Sequence, residues 1–450
     1  MKKFLALLLA LVMVIGLVAC GAKEEAAAPA ATEAAPAATE AAPAAPEAGS
    51  DKPYEGQVVS WWTYPYTGED QAQWEGIIAD FTAETGIVVE TTIIPWGADG
   101  AAKLSAGFLG GTGPDVLYMT AETAYDLISA GHLADLSTVL PADVLADQIY
   151  AENTKTDGVQ YMLPFSADLG YRGVVFNTDL LKAAGVETIP TTRDELIAAA
   201  QKVKDANVCE YPLLFPATAD AEVVFTSVLG NIWSAGGDFV AGGEVCFDSA
   251  ENLETMKFLN DLVNTSGLVS TDCTGISPIS VLDLFEEGKV AIAFAQISEV
   301  TNRFRDEGSN MSNVNWTHVP GIAAKAGDNV MTFCPIDMIA MNANAKNPEA
   351  AAEWLKYLMG VEGHEAFREV FAPGLLKMSN SETYEYVYPH DSLAEWGPKM
   401  AEFTRGLPIA KGTQTMLTDI TTNFQLMIMG ELTPEEAVDA IQAACEAAAS

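Results

Sequence analysis

Residues 58–62 read Val58-Val59-Ser60-Trp61-Trp62, a short apolar run of β-formers typical of a strand covered on both faces. From it the pattern alternates. Between Gln73 and Glu84, Trp74, Ile77, Ile78 and Phe81 recur at helical spacing, and Gly86 follows as a C-terminal stop. Ile87 to Ile94 predicts a second strand, ending at Pro95-Trp96. A small-residue helix around Ala101–Leu109 leads through Gly110-Gly111-Thr112-Gly113-Pro114 into a third strand, Asp115-Val116-Leu117-Tyr118-Met119. Ala121–Gly131 then predicts another helix. Strand–helix–strand–helix at this spacing is the signature of a parallel α/β sheet. Such sheets bind ligands beyond the carboxyl ends of their strands. Those ends carry Trp62, Tyr64, Tyr66, Trp96 and Glu122.

Composition narrows the function. The chain has 450 residues, 49% of them apolar, which is enough for two or three domains at roughly 100–200 residues each. With 23 basic against 62 acidic side chains the formal net charge is −39. A surface this acidic repels phosphate backbones and anionic lipid, so no nucleic-acid partner is expected. Four histidines leave little scope for His-based metal chemistry, and no cofactor or metal is expected. The glycines of 107–113 enter a strand without a following Gly-Lys-Ser/Thr, so they read as a turn and not a phosphate loop. His364-Glu365 lacks the second histidine of a zinc-protease helix, and no Gly-x-Ser-x-Gly elbow occurs.

The N-terminus reads as an address and a tether. Lys2 and Lys3 precede an apolar run from Phe4 to Ala19, too short for a spanning helix. It ends Leu17-Val18-Ala19-Cys20-Gly21, which resembles a bacterial lipobox. That resemblance implies a signal peptide over 1–19 and a diacylglycerol-modified Cys20 as the mature N-terminus. An ordinary secretory signal with an incidental cysteine is the other reading. Residues 28–34, 35–41 and 42–48 repeat APAATEA, APAATEA and APAAPEA. Proline in each copy and the lack of large apolar residues argue against a coiled coil. Residues 20–53 are therefore expected to be a disordered spacer, whose thirty or so residues reach roughly 90 Å when extended. Residues 21–50 hold Lys23 against Glu24, Glu25, Glu33, Glu40 and Glu47, so nearly all the negative charge lies beyond them.

The order of segments resembles that of the extracellular solute-binding proteins of ABC importers, in the group that takes oligosaccharides. The stretches that carry it are VVSWWTY, FTAETGIVVE, GPDVLYMTAETAYDLISAGHLADLS and YMLPFSADLGYRGVVFNTDLLKAAGV with IPTTRDELIAAAQKVK. DLFEEGKVAIAF with VPG, NANAKNPEAAAEWLKYLMGVEG and LTPEEAVDAIQAA follow in the same order over residues 58–444. The resemblance implies an α/β, two-lobed, periplasmic-binding-protein-like (type II) fold with a hinge and an inter-lobe cleft. Lobe 1 would comprise 54–165 and 330–378, and lobe 2 would comprise 166–329 and 379–450. It also implies a non-enzymatic, monomeric receptor on the extracellular face of the bacterial cytoplasmic membrane, or the periplasmic side where an outer membrane exists. The receptor would hand a sugar to ABC permease subunits.

Sugar recognition needs flat aromatic faces for C–H surfaces and carboxylates or amides for fixed hydroxyls. Lobe 1 offers Trp62, Tyr64, Tyr66, Trp96 and Glu122; the resemblance adds Asp168 and Tyr171 at the first crossing, and Trp233 and Asp238 around Gly236-Gly237. Each has a second reading. Trp61 and Trp62 point to opposite faces, so one belongs to the core. Trp96 could cap a strand, Glu122 could be a solvated first-turn residue, and Trp233 stands between lobe core and cleft floor. Tyr118 and Trp316 read as packing. Where maltodextrin-binding relatives carry stacking tryptophans in lobe 2, this chain has Gln296, Glu299 and Gln414, which suit a shorter or differently linked glycan. An acidic cleft would also suit a cation such as a polyamine, and a glycan-acting enzyme is a further alternative. Beyond Cys20 five cysteines remain, an odd number matching no zinc pattern, and a Cys246–Cys273 disulfide is left open.

Overall fold

The computed structural model describes residues 52–450 except 65–67, 96–97, 150, 167–169, 221, 372–378 and 382–386. The expected N-terminal address, Cys20 and the tether as far as residue 51 lie outside the described residues, as do Tyr66, Trp96 and Asp168.

The chain opens with β1 (Val58–Thr63), α1 (Gly68–Thr85), β2 (Val88–Ile93), α2 (Ala98–Leu109) and β3 (Val116–Met119). Gly86 at φ +82° turns the chain from α1 toward β2, a conformation that glycine adopts without strain. After β4 (Met162–Ser166) come β5 (Arg172–Asn177), α3 (Arg193–Ala206), α4 (Ala250–Asn260), β6 (Ile292–Gln296), α5 (Ile297–Arg305) and β7 (Trp316–Val319). The short β8 (Thr332–Phe333) precedes β9 (Asp337–Met341) and α6 (Pro348–Met359). Then follow α7 (Asp391–Trp396), β10 (Thr404–Arg405), α8 (Thr413–Ile428) and α9 (Pro434–Ala449). Thr192 with Glu195 and Thr433 with Glu436 form capping boxes that start α3 and α9, each pair satisfying two otherwise orphaned backbone donors.

The first sheet runs β2-β1-β3-β9-β4. β1 pairs in parallel with β2 and with β3, as the alternating pattern predicts. β9 enters antiparallel between β3 and β4. Successive residues serve opposite faces. Val116, Tyr118, Leu163, Phe165 and Ile339 join one core with Trp61, Trp74 and Trp354; Leu117, Met119, Met162 and Met338 join another with Leu104 and Phe108. Trp61 is fully buried, edge-on to Phe165 and Trp354 with ring centroids 6.3 Å away in each case. The helix expected over 121–131 is shorter: a 3₁₀ turn, Ala121–Thr123, passes into a single α-helical stretch, Ala124–Ser129.

The second sheet, β6-β5-β7, is antiparallel and carries its own core, to which α3, α4, α8 and α9 contribute Leu196, Met256, Phe424 and Ile441. The chain thus leaves the first sheet after β4, builds the second, returns as β9, and ends against the second. The parallel pair β8–β10 lies on these crossings, with Phe333 in register with Arg405. Thr332 Oγ1 donates to the Arg172 carbonyl at 2.7 Å, and Phe333 stacks on Phe225 with centroids 4.3 Å apart. All five described cysteines are free thiols, so Cys246 and Cys273 are not joined. Among the described residues no helix is long and apolar enough to cross a membrane, and no group of three or more His, Cys, Asp or Glu could hold a metal.

Candidate functional site

A cleft of about 360 Å³ opens where the crossings meet the first sheet. Thr120 and Ala121, just past the carboxyl end of β3, form one side. Phe333 of β8, Pro335 and Ile336 of the link that follows, and Asp337 and Met338 of β9 continue the lining, together with Thr404–Leu407 and Ile409. This is where a parallel sheet places its ligand. Among the described lining residues the charged ones are Asp337 and Arg405, one of each sign.

Both are braced. The Tyr118 hydroxyl donates to Asp337 Oδ2 at 2.8 Å, so a residue expected only to pack also fixes a cleft carboxylate. Arg405 lies with its guanidinium carbon 4.3 Å from the centroid of the Trp233 ring and donates to Asp238 Oδ2 at 2.9 Å. Asp238 Oδ1 accepts from Trp233 Nε1 at 3.0 Å and from the Phe239 amide at 2.9 Å. The loop that presents Asp238 is held from beneath by Asn252, whose Nδ2 donates to the Asp238 carbonyl at 2.6 Å and the Phe247 carbonyl at 3.1 Å. Gly237 passes so close that a Cβ there would lie 1.9 Å from Asn252 Oδ1.

The structure brings Trp233 and Asp238 together, and adds Arg405, Asp337 and Phe333, which the sequence did not single out. The other described candidates sit on several different elements. Tyr64 is 3% exposed and edge-on to Tyr118, with centroids 5.3 Å apart. Trp62 is half-buried, its ring against Gly107 of α2 with Lys103 Nζ 5.7 Å from its centroid. Glu122 sits in the 3₁₀ turn after β3. Gln296 ends β6, opposite Arg172 in register, and its Nε2 donates to Ser298 Oγ at 2.8 Å. Glu299 stands in the first turn of α5 and Gln414 in the first turn of α8, both half-buried.

Tyr171 is fully buried in the second core, and its hydroxyl meets His318 Nε2 at 2.6 Å. His318 Nδ1 in turn meets Ser392 Oγ at 2.6 Å. Burial, with His390 nearby adding to it, pulls the His318 pKa down to about 3, so the imidazole is neutral. This chain of three side chains fastens the start of β5, through the preceding Tyr171, and β7 to α7 inside the second core.

Residues 64–365 match the family described as bacterial extracellular solute-binding protein. The chain is 24% identical over 381 residues to a binding protein of Brucella abortus, covering 82% of this chain and 88% of that one. It is 22% identical over 455 residues to the galactooligosaccharide-binding protein of Bacillus subtilis, covering 97% and 95%. Among solved structures, the cyclic alpha-maltosyl-1,6-maltose binding protein from Arthrobacter globiformis matches with a TM-score of 0.68 at 21% identity, over 87% of this chain and 98% of that one. A mixed α/β chain that crosses between two sheets, with a cleft at the crossings and this match over most of its folded length, belongs to the bacterial extracellular solute-binding protein family.

Proposed function

We propose that this chain is a lipid-anchored extracellular receptor that captures a sugar or oligosaccharide between two lobes and delivers it to the permease of an ABC importer. The observation that carries the reading is the cleft itself, lined by residues at β3 and β9 of the first sheet and by residues 404–409 of the chain that runs on into the second core, an arrangement that relative movement of two lobes would open or close. Lobe 1 is assigned to 54–165 and 330–378, and lobe 2 to 166–329 and 379–450. A ligand touching both walls favours the closed form by the difference between its affinities for the two forms. The sugars named for the Bacillus subtilis and Arthrobacter globiformis relatives support a carbohydrate. The balanced charge of the described lining supports an uncharged ligand over a polyamine.

In this reading the protein is a monomer, carries out no reaction and needs no cofactor. Cys20 bears the lipid, and residues 21–53 let the receptor reach the permease from the outer face of the membrane. Two acyl chains suffice for stable anchoring where one is marginal. Of the sequence candidates, Trp62, Tyr66, Trp96, Glu122 and Asp168 are proposed for the lobe 1 side and the first crossing, and Asp238, Gln296, Glu299 and Gln414 for lobe 2, with Trp233 as a support; Tyr64 and Tyr171 pack in the two cores instead. A thermal-shift screen tests this, because a ligand bound only by the folded form raises the melting temperature by mass action. Neutral mono- and oligosaccharides are expected to give the shifts. A shift with spermidine or putrescine and none with any neutral glycan would overturn the substrate class, and turnover of a glycan would overturn the receptor role.

A further inference from the structure

The most developed side-chain cluster at the cleft is the one around Arg405. The Trp233 ring is only 4% exposed, whereas the Arg405 side chain is 36% exposed and lines the cavity. A ligand entering from the cleft therefore meets the guanidinium and not the indole. The tryptophan expected as a stacking platform instead supports an arginine, by the attraction between a cation and an aromatic face. Asp238 holds the arginine through one terminal nitrogen and is itself fixed by Trp233 Nε1 and the Phe239 amide. A guanidinium carries five N–H donors in one rigid plane. Asp238 is the one side chain among the described residues to which Arg405 donates a hydrogen bond. Its backbone is pinned as well: the Arg405 carbonyl accepts from the Cys334 amide at 3.1 Å.

We propose that Arg405 is the residue that donates to the ligand's oxygens, and that Asp238, by neutralising it, restricts the site to uncharged sugars. This rests on the carbohydrate-receptor reading above. A guanidinium stacked on one face and paired at one corner is pre-organised, so little side-chain entropy is lost when hydroxyl or ring oxygens dock on its remaining edge. A uronate would have to compete with Asp238 for a cation already paired. A polyamine would meet the Arg405 guanidinium beside the Asp337 carboxylate, so the described lining offers it no net negative charge. Trp233 and Asp238 are positioning residues in this arrangement, and Arg405 is the one that contacts the ligand.

The test uses the purified protein, calorimetry, and two probe sets: neutral oligosaccharides, and uronate-bearing oligosaccharides of matched length. Arg405→Ala is expected to lose roughly 10- to 100-fold in affinity for the best neutral ligand, the effect of one lost hydrogen bond to a charged group. Arg405→Lys should also lose affinity, since an ammonium cannot reproduce the stacked plane, and it serves where the alanine variant is unstable. Asp238→Asn keeps an acceptor for Trp233 Nε1 and the Phe239 amide but removes the compensating charge. It should shift preference toward the uronates by about tenfold or more, which a merely structural role would not produce. Neutral-sugar binding by both Arg405 variants within threefold of the parent overturns the inference and leaves the receptor reading standing. Failure of the parent to bind any neutral sugar overturns the receptor reading, and the inference with it.

Discussion

Lowering the pH from 7 to 5 should cost this protein about 2 kcal/mol at His318 alone. The residue is 1% exposed, in contact with Tyr171 on one ring nitrogen and Ser392 on the other, both at 2.6 Å. Burial, reinforced by His390, takes its pKa from 6.5 to about 3. Between those values the unfolded chain holds a proton that the folded chain refuses. The stabilisation is therefore present in full above pH 6.5 and is lost progressively as pH falls toward 3. Each unit of pH inside that window changes stability by about 1.4 kcal/mol, and the span from 7 to 5 includes roughly one and a half such units. Carboxylates also titrate below pH 5, so the informative quantity is a difference between two proteins. Urea unfolding followed by tryptophan fluorescence at pH 7 and pH 5 would be compared for the parent and His318→Gln. The variant should be weaker at pH 7, because contacts with Tyr171 and Ser392 are disturbed, yet its further loss at pH 5 should be smaller by about 2 kcal/mol. Equal losses in both proteins would refute a neutral buried imidazole.

Gly237→Ala should lower stability by roughly 1–3 kcal/mol in the same urea assay, because the new Cβ displaces Asn252 from the carbonyls it satisfies; a change under about 0.5 kcal/mol would show that the loop adapts freely. Burial pushes the Cys273 and Cys445 thiols up to about 12, and Cys334 is 1% exposed. A thiol reagent at pH 8 should therefore react promptly with no more than Cys209 and Cys246 in the folded protein, and with Cys273, Cys334 and Cys445 only after unfolding. Prompt reaction at all five would contradict the described core. In bacterial culture, Cys20→Ala should abolish labelled-palmitate incorporation and release the protein from the membrane fraction; a label retained by the variant would place the lipid elsewhere.

The first half of the first sheet is legible in the sequence because its signals are local. Val58–Trp62, Ile87–Ile94 and Asp115–Met119 are apolar runs bounded by glycine or proline, and their spacing leaves room for one helix between each pair. β9 carries no such signal for its place. It slots between β3 and β4 only after the chain has built a second sheet, and Tyr118 finds Asp337 across 219 residues. The same holds at the cleft. Trp233 and Asp238 are five residues apart around a glycine pair, so their association is readable. Arg405 joins them from 167 residues away, on a two-residue strand whose register is set by Phe333. Tyr64 and Tyr171 show the converse limit. An aromatic at a strand end looks alike in sequence whether it faces a cleft or a core, and the neighbours that decide it, Tyr118 and His318, are distant in the chain.

The central question is whether the cleft takes an uncharged sugar. Isothermal titration of the purified protein with the neutral oligosaccharides that raise its melting temperature measures this directly. The prediction is one site per chain with micromolar or tighter affinity. Absence of heat with every neutral mono- and oligosaccharide, beside tight binding of a polyamine, would contradict it.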